Sequence, residues 1–387
     1  MRFGRWPGAD AEKCAHMRKS GLQIGKEIVL NGAHTCGLYS VVGRTSWRAQ
    51  RLLILGYHGI SLEDEHQWRP GLFLTPAQFA GRLECIARMG CAVLPLDEAL
   101  ARLAKRTLPS LSVVITFDDG FYNFFSAALP ILRKFGYPAT VYQTTFYSGW
   151  NRPIFHLLCH YLLWKASGKV IEASQIAGRR GVFDLRTEAG IKSATAEIWS
   201  FAKQTGLSQE RRQEIANLLA DLVGEDYQEL SRRRLFNLMN KDELSQMAKS
   251  DIDVQLHTHR HRVPSNKDLF LKELADNRVF LRDIGQANAT HFAYPSGVYR
   301  EEVFPWLAEC GVQSATSCDT GLVNIGSYQL CLPRYIDTPG ISNLEFEAWL
   351  CGLRVMLPNR KSAGRARSLL PSLAGRPVHS RQQQDQN

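Results

Sequence analysis

Two adjacent aspartates, Asp118 and Asp119, end the apolar run VVITF (113–117) and are followed by Gly120. Like charges side by side repel, so a turn into solvent or a metal ion must offset them. A second polar cluster, His257-Thr258-His259-Arg260-His261, follows the run DVQL (253–256). Neutral imidazole is the commonest protein ligand for metals. His257 and His261 are four apart, so one helical turn would put both on one side. His257 and His259, two apart, would share a face at an extended strand end. The spacing leaves both geometries open. Asp-Gly alone is an ordinary turn signal, and a histidine cluster can be mere surface. Together they favour a cation. Two imidazoles and one carboxylate leave a coordination position free, as a catalytic site requires. The other carboxylate then lies beside an attacking water and can accept its proton.

These clusters need elements to bring them together. LLILGYHGI (52–60) reads as a short strand ending in Tyr57-His58. Helical spacing predicts a helix over 75–90, with Thr75 as N-cap, Pro76 in the first turn and Gly90 at the end. Strands are expected at 91–96, 112–117, 137–145, 253–256, 290–295, 312–317 and 328–335. Helices are expected at 97–104, 123–136, 267–285, 300–311 and 342–357. Strands alternating with helices at this spacing predict a parallel α/β sheet or barrel. Residues 150–245 break the rhythm as a helix-rich insertion, with Ile215, Leu218, Leu219, Leu222 and Val223 on one apolar face. In a βα barrel the strand C-terminal ends open onto one face, which is where the polar clusters fall.

The remaining composition bounds the setting. The chain has 387 residues and a net charge of +10. Residues 1–51 carry nine Lys/Arg and three Asp/Glu, and 354–387 carry seven and one, so each end is +6 and the body is −2. The body therefore gives no sign of nucleic-acid binding. Residues 1–50 read as an extension and 358–387 as a basic, disordered tail; either end could touch an anionic membrane surface. Nine irregularly spaced cysteines, with no CxxC, read as reduced thiols. With no apolar leader segment at the N-terminus, the expectation is a cytoplasmic chain. Oligomeric state is not legible.

The order Tyr57-His58, TFDDG (116–120), HTHRH (257–261) and FAYPSG (292–297) resembles the polysaccharide deacetylases, the NodB-homology carbohydrate esterases, over residues 51–340. The resemblance implies a distorted (β/α)7 barrel over 51–357 and hydrolysis of N-acetyl groups from N-acetylhexosamine units of a glycan or exopolysaccharide precursor. It implies Asp119, His257 and His261 as ligands of a divalent metal, zinc first, with cobalt, nickel or manganese open. Asp118 would be the general base. Thr258 would help fix the histidine loop, and the backbone at Ser296 would face the oxyanion. Ala293 stands where the family carries an arginine that tethers the base, and Arg334 is the candidate substitute. No histidine lies in the family's final motif. His58 is therefore the candidate general acid, as in the branch with an N-terminal Tyr-His motif. Tyr122, Tyr294 and Tyr299 are candidates for stacking on sugar rings. An O-deacetylase, a small-molecule amidase or a glycan-binding pseudoenzyme would share this pattern.

Overall fold

The computed structural model describes residues 21–177, 180–247 and 250–356. The tail expected to be disordered lies outside them. Seven parallel strands carry the fold: β1 (Leu53–Tyr57), β2 (Ser112–Phe117), β3 (Ala139–Gln143), β4 (Ile252–Leu256), β5 (His291–Ala293), β6 (Ser314–Thr316) and β7 (Tyr335–Ile336). Their order is β6-β5-β4-β3-β2-β1-β7. The register pairs Leu53 with Val113, Thr140 with Asp253 and Leu55 with Tyr335. The sheet curls into an incomplete barrel, and a single bridge between Thr316 and Leu332 spans the seam between β6 and β7.

Alternation along the strands sorts their side chains into two layers. Leu53, Leu55, Tyr57, Val113, Ile115 and Phe117 join the core beneath the outer helices. The alternate residues Ile54 and Val114 join Leu52, Tyr142, Ala293, Val323 and Leu332 in a separate buried cluster. Among the outer helices, α1 (Gly21–Thr35) precedes the barrel and α2 (Pro76–Arg88) carries the expected cap. Thr75 Oγ1 accepts from the Gln78 amide, and the Gln78 side chain accepts from the Thr75 amide.

Several expected elements change. The strand expected at 91–96 is only Ala92–Val93, paired beside the start of β2. The one expected at 328–335 is a 3₁₀ turn at Gln329–Cys331, with pairing resumed at Tyr335–Ile336. The helix expected at 342–357 stops as α7 (Asn343–Leu350), since Gly352 adopts φ 86° before the short helix Leu353–Met356. The insertion contains α3 (Phe155–Lys165), α4 (Glu188–Gln204) and α5 (Gln209–Asp221). It also holds a hairpin, Val170–Glu172 with Val182–Asp184, that helical periodicity could not reveal. Its core gathers Leu158, Leu162, Ile198, Ile215, Leu219 and Phe236 and reaches Trp68 and Phe73 of the barrel. No helix among the described residues is long and apolar enough to cross a membrane.

The strand N-terminal ends are closed by Arg48, which is fully buried. Its guanidinium donates to the carbonyls of Leu350 (2.8 Å), Arg51 (2.6 Å) and Ser112 (3.3 Å). Burial lowers its pKa to about 10. Replacing Arg48 with Met leaves two buried carbonyls and one part-buried carbonyl short of a donor, a cost of about 2–4 kcal/mol. Urea unfolding is expected to show that loss as a lower midpoint.

Candidate metal centre and active site

Strand β2 ends inside the barrel, and Asp118 continues its alternation. The Asp118 carboxylate is 3% exposed. Both its oxygens accept from Arg334: Nη1 to Oδ1 and Nη2 to Oδ2, each at 2.7 Å. Arg334 is fully buried just before β7, and it also donates to Ser317 O and Thr116 Oγ1. Gly56 keeps this space open, since a Cβ there would lie 2.5 Å from Ile336 Cδ1 and 3.6 Å from Arg334 Nη1. Burial opposes ionisation of Asp118, but the paired guanidinium outweighs it and holds the carboxyl below its ordinary range. The bidentate geometry adds orientation to charge. The tethering partner expected from Arg334 is thus in contact with the carboxylate.

Asp119 turns the other way because its backbone is left-handed, at φ 67°. Gly120 follows at φ 78°, where a Cβ would lie 1.8 Å from Gln143 Oε1. The Asp119 carbonyl accepts from the Thr144 amide, and Thr144 Oγ1 donates to the His257 carbonyl. The end of β3 therefore ties the aspartate turn to the histidine loop.

His257 and His261 converge on Asp119, whereas His259 points away and contacts Thr145 Oγ1 at 2.9 Å through Nδ1. The pair is four apart, but no helical turn presents it. The segment is an irregular loop in which Thr258 (φ 62°) and His261 (φ 54°) are left-handed. Thr258 is fully buried, and its Oγ1 accepts from the Arg262 amide. His257 Nδ1 lies 2.8 Å from the Ala293 carbonyl, which can only accept. The Nδ1–H tautomer follows, and Nε2 is left with a free lone pair.

Asp119 Oδ1 lies 3.3 Å from His257 Nε2 and 3.0 Å from His261 Nε2. Neither approach is aligned as a hydrogen bond, so this buried oxygen has no hydrogen-bond partner. One ligand atom from each residue lies within 4.8 Å of the other two. Burial resists the Asp119 charge, but the neighbouring His261 holds its carboxyl well below the ordinary range. Three donors of N,N,O type around an unpartnered anionic oxygen fit a divalent cation.

His58, directly after β1, is at the mouth, with Nε2 4.0 Å from Asp118 Oδ2 and its side chain 18% exposed. Ser296 is exposed in the Pro295–Gly297 turn with φ 58°. Tyr294 is not available for stacking. It is fully buried, and its hydroxyl donates to Leu330 O. Tyr299 donates to Asp319 Oδ2, and the Tyr122 ring lies under the Arg234 guanidinium at 3.9 Å.

Two positioning residues escaped the sequence reading. Helix α6 (Lys267–Asp283) places Glu273 and Asn277 on its buried face. Glu273, 1% exposed, accepts from the Arg260 amide and from the Arg262 Nε. Asn277, fully buried, accepts from the His257 amide and donates to Gln143 O and Thr145 Oγ1. The available signal was two polar residues four apart on the apolar face of Phe270, Leu274 and Leu281.

The Polysaccharide deacetylase family profile matches residues 105–158 and 219–315, the stretches that carry both aspartates and both histidines. Over these stretches the chain is similar to the polysaccharide deacetylases. Its unmatched interval falls within the inserted helices, so the family frame is interrupted where this chain builds its second core. Among curated relatives, "Putative polysaccharide deacetylase YxkH" of Bacillus subtilis (strain 168) is 32% identical over 94 residues. That stretch is 24% of this chain and about a third (32%) of the relative's length. Among solved structures, the Streptococcus pyogenes deacetylase PplD in complex with acetate superposes with a TM-score of 0.50 at 18% identity. It covers 80% of this chain and 99% of that one, a likeness of fold.

Replacing Arg334 with Met strands Asp118 as a buried, unpaired charge. The expected cost is about 3–5 kcal/mol in urea unfolding, mostly recovered in the R334M/D118L double variant. Folding lowers the Asp118 pKa, so the pair's contribution is complete above an unfolded value near ~4 and is lost as pH falls through the folded value. The penalty of R334M should therefore shrink in acid.

Proposed function

We propose that the chain is a metal-dependent hydrolase that removes N-acetyl groups from N-acetylhexosamine units of a glycan. The observation that carries this is the unpartnered Asp119 oxygen facing two imidazole nitrogens, beside a second carboxylate held ionised by Arg334. The match to the polysaccharide deacetylase profile supports the same reading. Asp119, His257 and His261 would hold the cation, with zinc the first candidate. When bound, such a cation polarises the acetyl carbonyl and lowers the pKa of water.

The chain's own groups supply the rest. Asp118 accepts the proton of the attacking water. Two of its lone pairs are spent on Arg334, and the remaining ones face away from that fork. Its lowered pKa keeps it ionised, at the cost of basicity. Arg334 fixes the plane of the carboxylate and prevents it from swinging toward the ligand set. His58 donates a proton to the departing amine, without which an amide nitrogen leaves poorly. Its position 4.0 Å from Asp118 supports that role and supports placing the chain in the Tyr-His branch. The His257 Nδ1–H bond to Ala293 O fixes which nitrogen faces Asp119. The left-handed turn at Ser296 presents backbone beside β5, the element expected to face the oxyanion.

The test is acetate release from N-acetylglucosamine oligomers. Chelator is expected to abolish it, and added Zn²⁺ or Co²⁺ to restore it. D118N and H58A should each lower kcat by about 10²–10⁴-fold, and D118N should still bind one equivalent of metal by calorimetry. Release that survives chelation, or its absence on every oligomer with metal bound, contradicts the proposal.

A further inference from the structure

The insertion leaves the barrel after β3, and its end returns to the aspartate turn, where Leu238 bridges Phe121 and the Met239 amide donates to the Gly120 carbonyl. Its α3 and α4 enclose a groove of about 420 Å³ lined by His156, His160, Lys192, Trp199, Ser200 and Lys203. His156 Nδ1 is buried with no hydrogen-bond partner. The Trp199 ring tilts against His156 at 5.1 Å, and Lys203 Nζ lies 5.4 Å from its centroid. His160 packs edge-on against Trp68 at 5.3 Å, which brings the β1 loop to the same place.

Arg69 follows Trp68, whose ring packs on His160 of this groove. Its guanidinium is half-buried and lies 5.5 Å from the Trp68 ring. Among the described residues no carboxylate lies within ion-pair distance of it, and it donates no side-chain hydrogen bond. Its charge is felt by both His156 and His160 on one side and interacts with Asp119 on the other. His156 in turn feels Asp119 and His261. Burial first and Arg69 second push the His156 imidazole down to about 4, so it is a neutral donor or acceptor near pH 7. Glu188, whose charge reaches His160, is paired with Lys192.

A half-buried guanidinium with unspent donors is costly unless a ligand supplies the counter-charge. The Trp199 ring, which lines the groove, suits the apolar face of a pyranose. We propose that this groove is an anion-binding extension of the active site, and that the glycan carries a phosphoryl or carboxylate group beyond the reacting N-acetylhexosamine, held by Arg69 with the adjoining sugar along Trp199. This rests on the deacetylase reading for the site it adjoins. It assigns the insertion a role in substrate choice.

The test measures binding to the full-length chain by calorimetry at low ionic strength, using one neutral and two anionic probes. The neutral probe is the N-acetylglucosamine tetramer. A hyaluronan tetrasaccharide supplies carboxylate, and chitobiose linked to farnesyl diphosphate supplies phosphoryl groups. At least one anionic probe is expected to bind about tenfold or more tightly than the neutral one. R69Q should reduce that ratio to about one, within a factor of ~3, with an unchanged unfolding midpoint showing that the fold is intact. W199A should weaken all three. Equal binding of all probes, or a ratio unmoved by R69Q, overturns the proposal. The anionic arm that responds identifies the group. Acetate release on the same probes separates the two claims. Anion preference without release from any probe sinks the hydrolase reading alone, and release without preference sinks the anion subsite alone.

Discussion

Two neighbouring carboxylates cannot share one counter-charge, and the barrel mouth is organised around that constraint. Asp118 keeps the inward phase of β2 and meets Arg334. Asp119 leaves that phase through a left-handed backbone and meets His257 and His261. The division separates a carboxylate paired with a guanidinium from one left facing two imidazoles. It also explains why Arg334 is deep in the barrel. A guanidinium beside Asp119 would neutralise the charge that a cation needs.

Keeping the two apart requires strained backbone. Asp119, Thr258, His261 and Ser296 all have positive φ without being glycine, and such positions cost about 1–3 kcal/mol each. The surrounding hydrogen bonds sustain them. Thr144 binds the backbone on both sides of the gap, Asn277 holds the His257 amide, and Glu273 anchors Arg260 and Arg262. The rigid elements beneath are β3 and α6, whose polar residues are spent on the loop above. The strain thus falls at the chemistry, where preorganisation is useful.

Much of this was legible in the sequence because period and position carry it. Alternating strands and helices gave the parallel barrel, and polar residues after VVITF and DVQL marked its working face. Spacing alone left the pairs His257/His261 and His257/His259 open, and the structure groups His257 and His261 with Asp119 through a loop with two left-handed residues rather than through a helical turn. Tyr294 misled because its ring belongs to the buried side of β5, and a three-residue strand gives too little alternation to tell in from out. The hairpin at 170–184 was hidden by its helical surroundings. Glu273 and Asn277 looked like ordinary polar helix residues, for their partners are backbone groups 10 to 20 positions away that only the fold brings near. Arg69 gave no signal at all, because an unpaired guanidinium is a property of three-dimensional surroundings.

The joint grip on one cation proposed for Asp119, His257 and His261 can be measured directly by zinc K-edge X-ray absorption on the metal-loaded full-length chain. The account predicts two imidazole nitrogens with their outer-ring scattering, and oxygen in the remaining positions, all at about 2.0–2.2 Å. A first shell containing sulfur, or one without imidazole scattering, would contradict it.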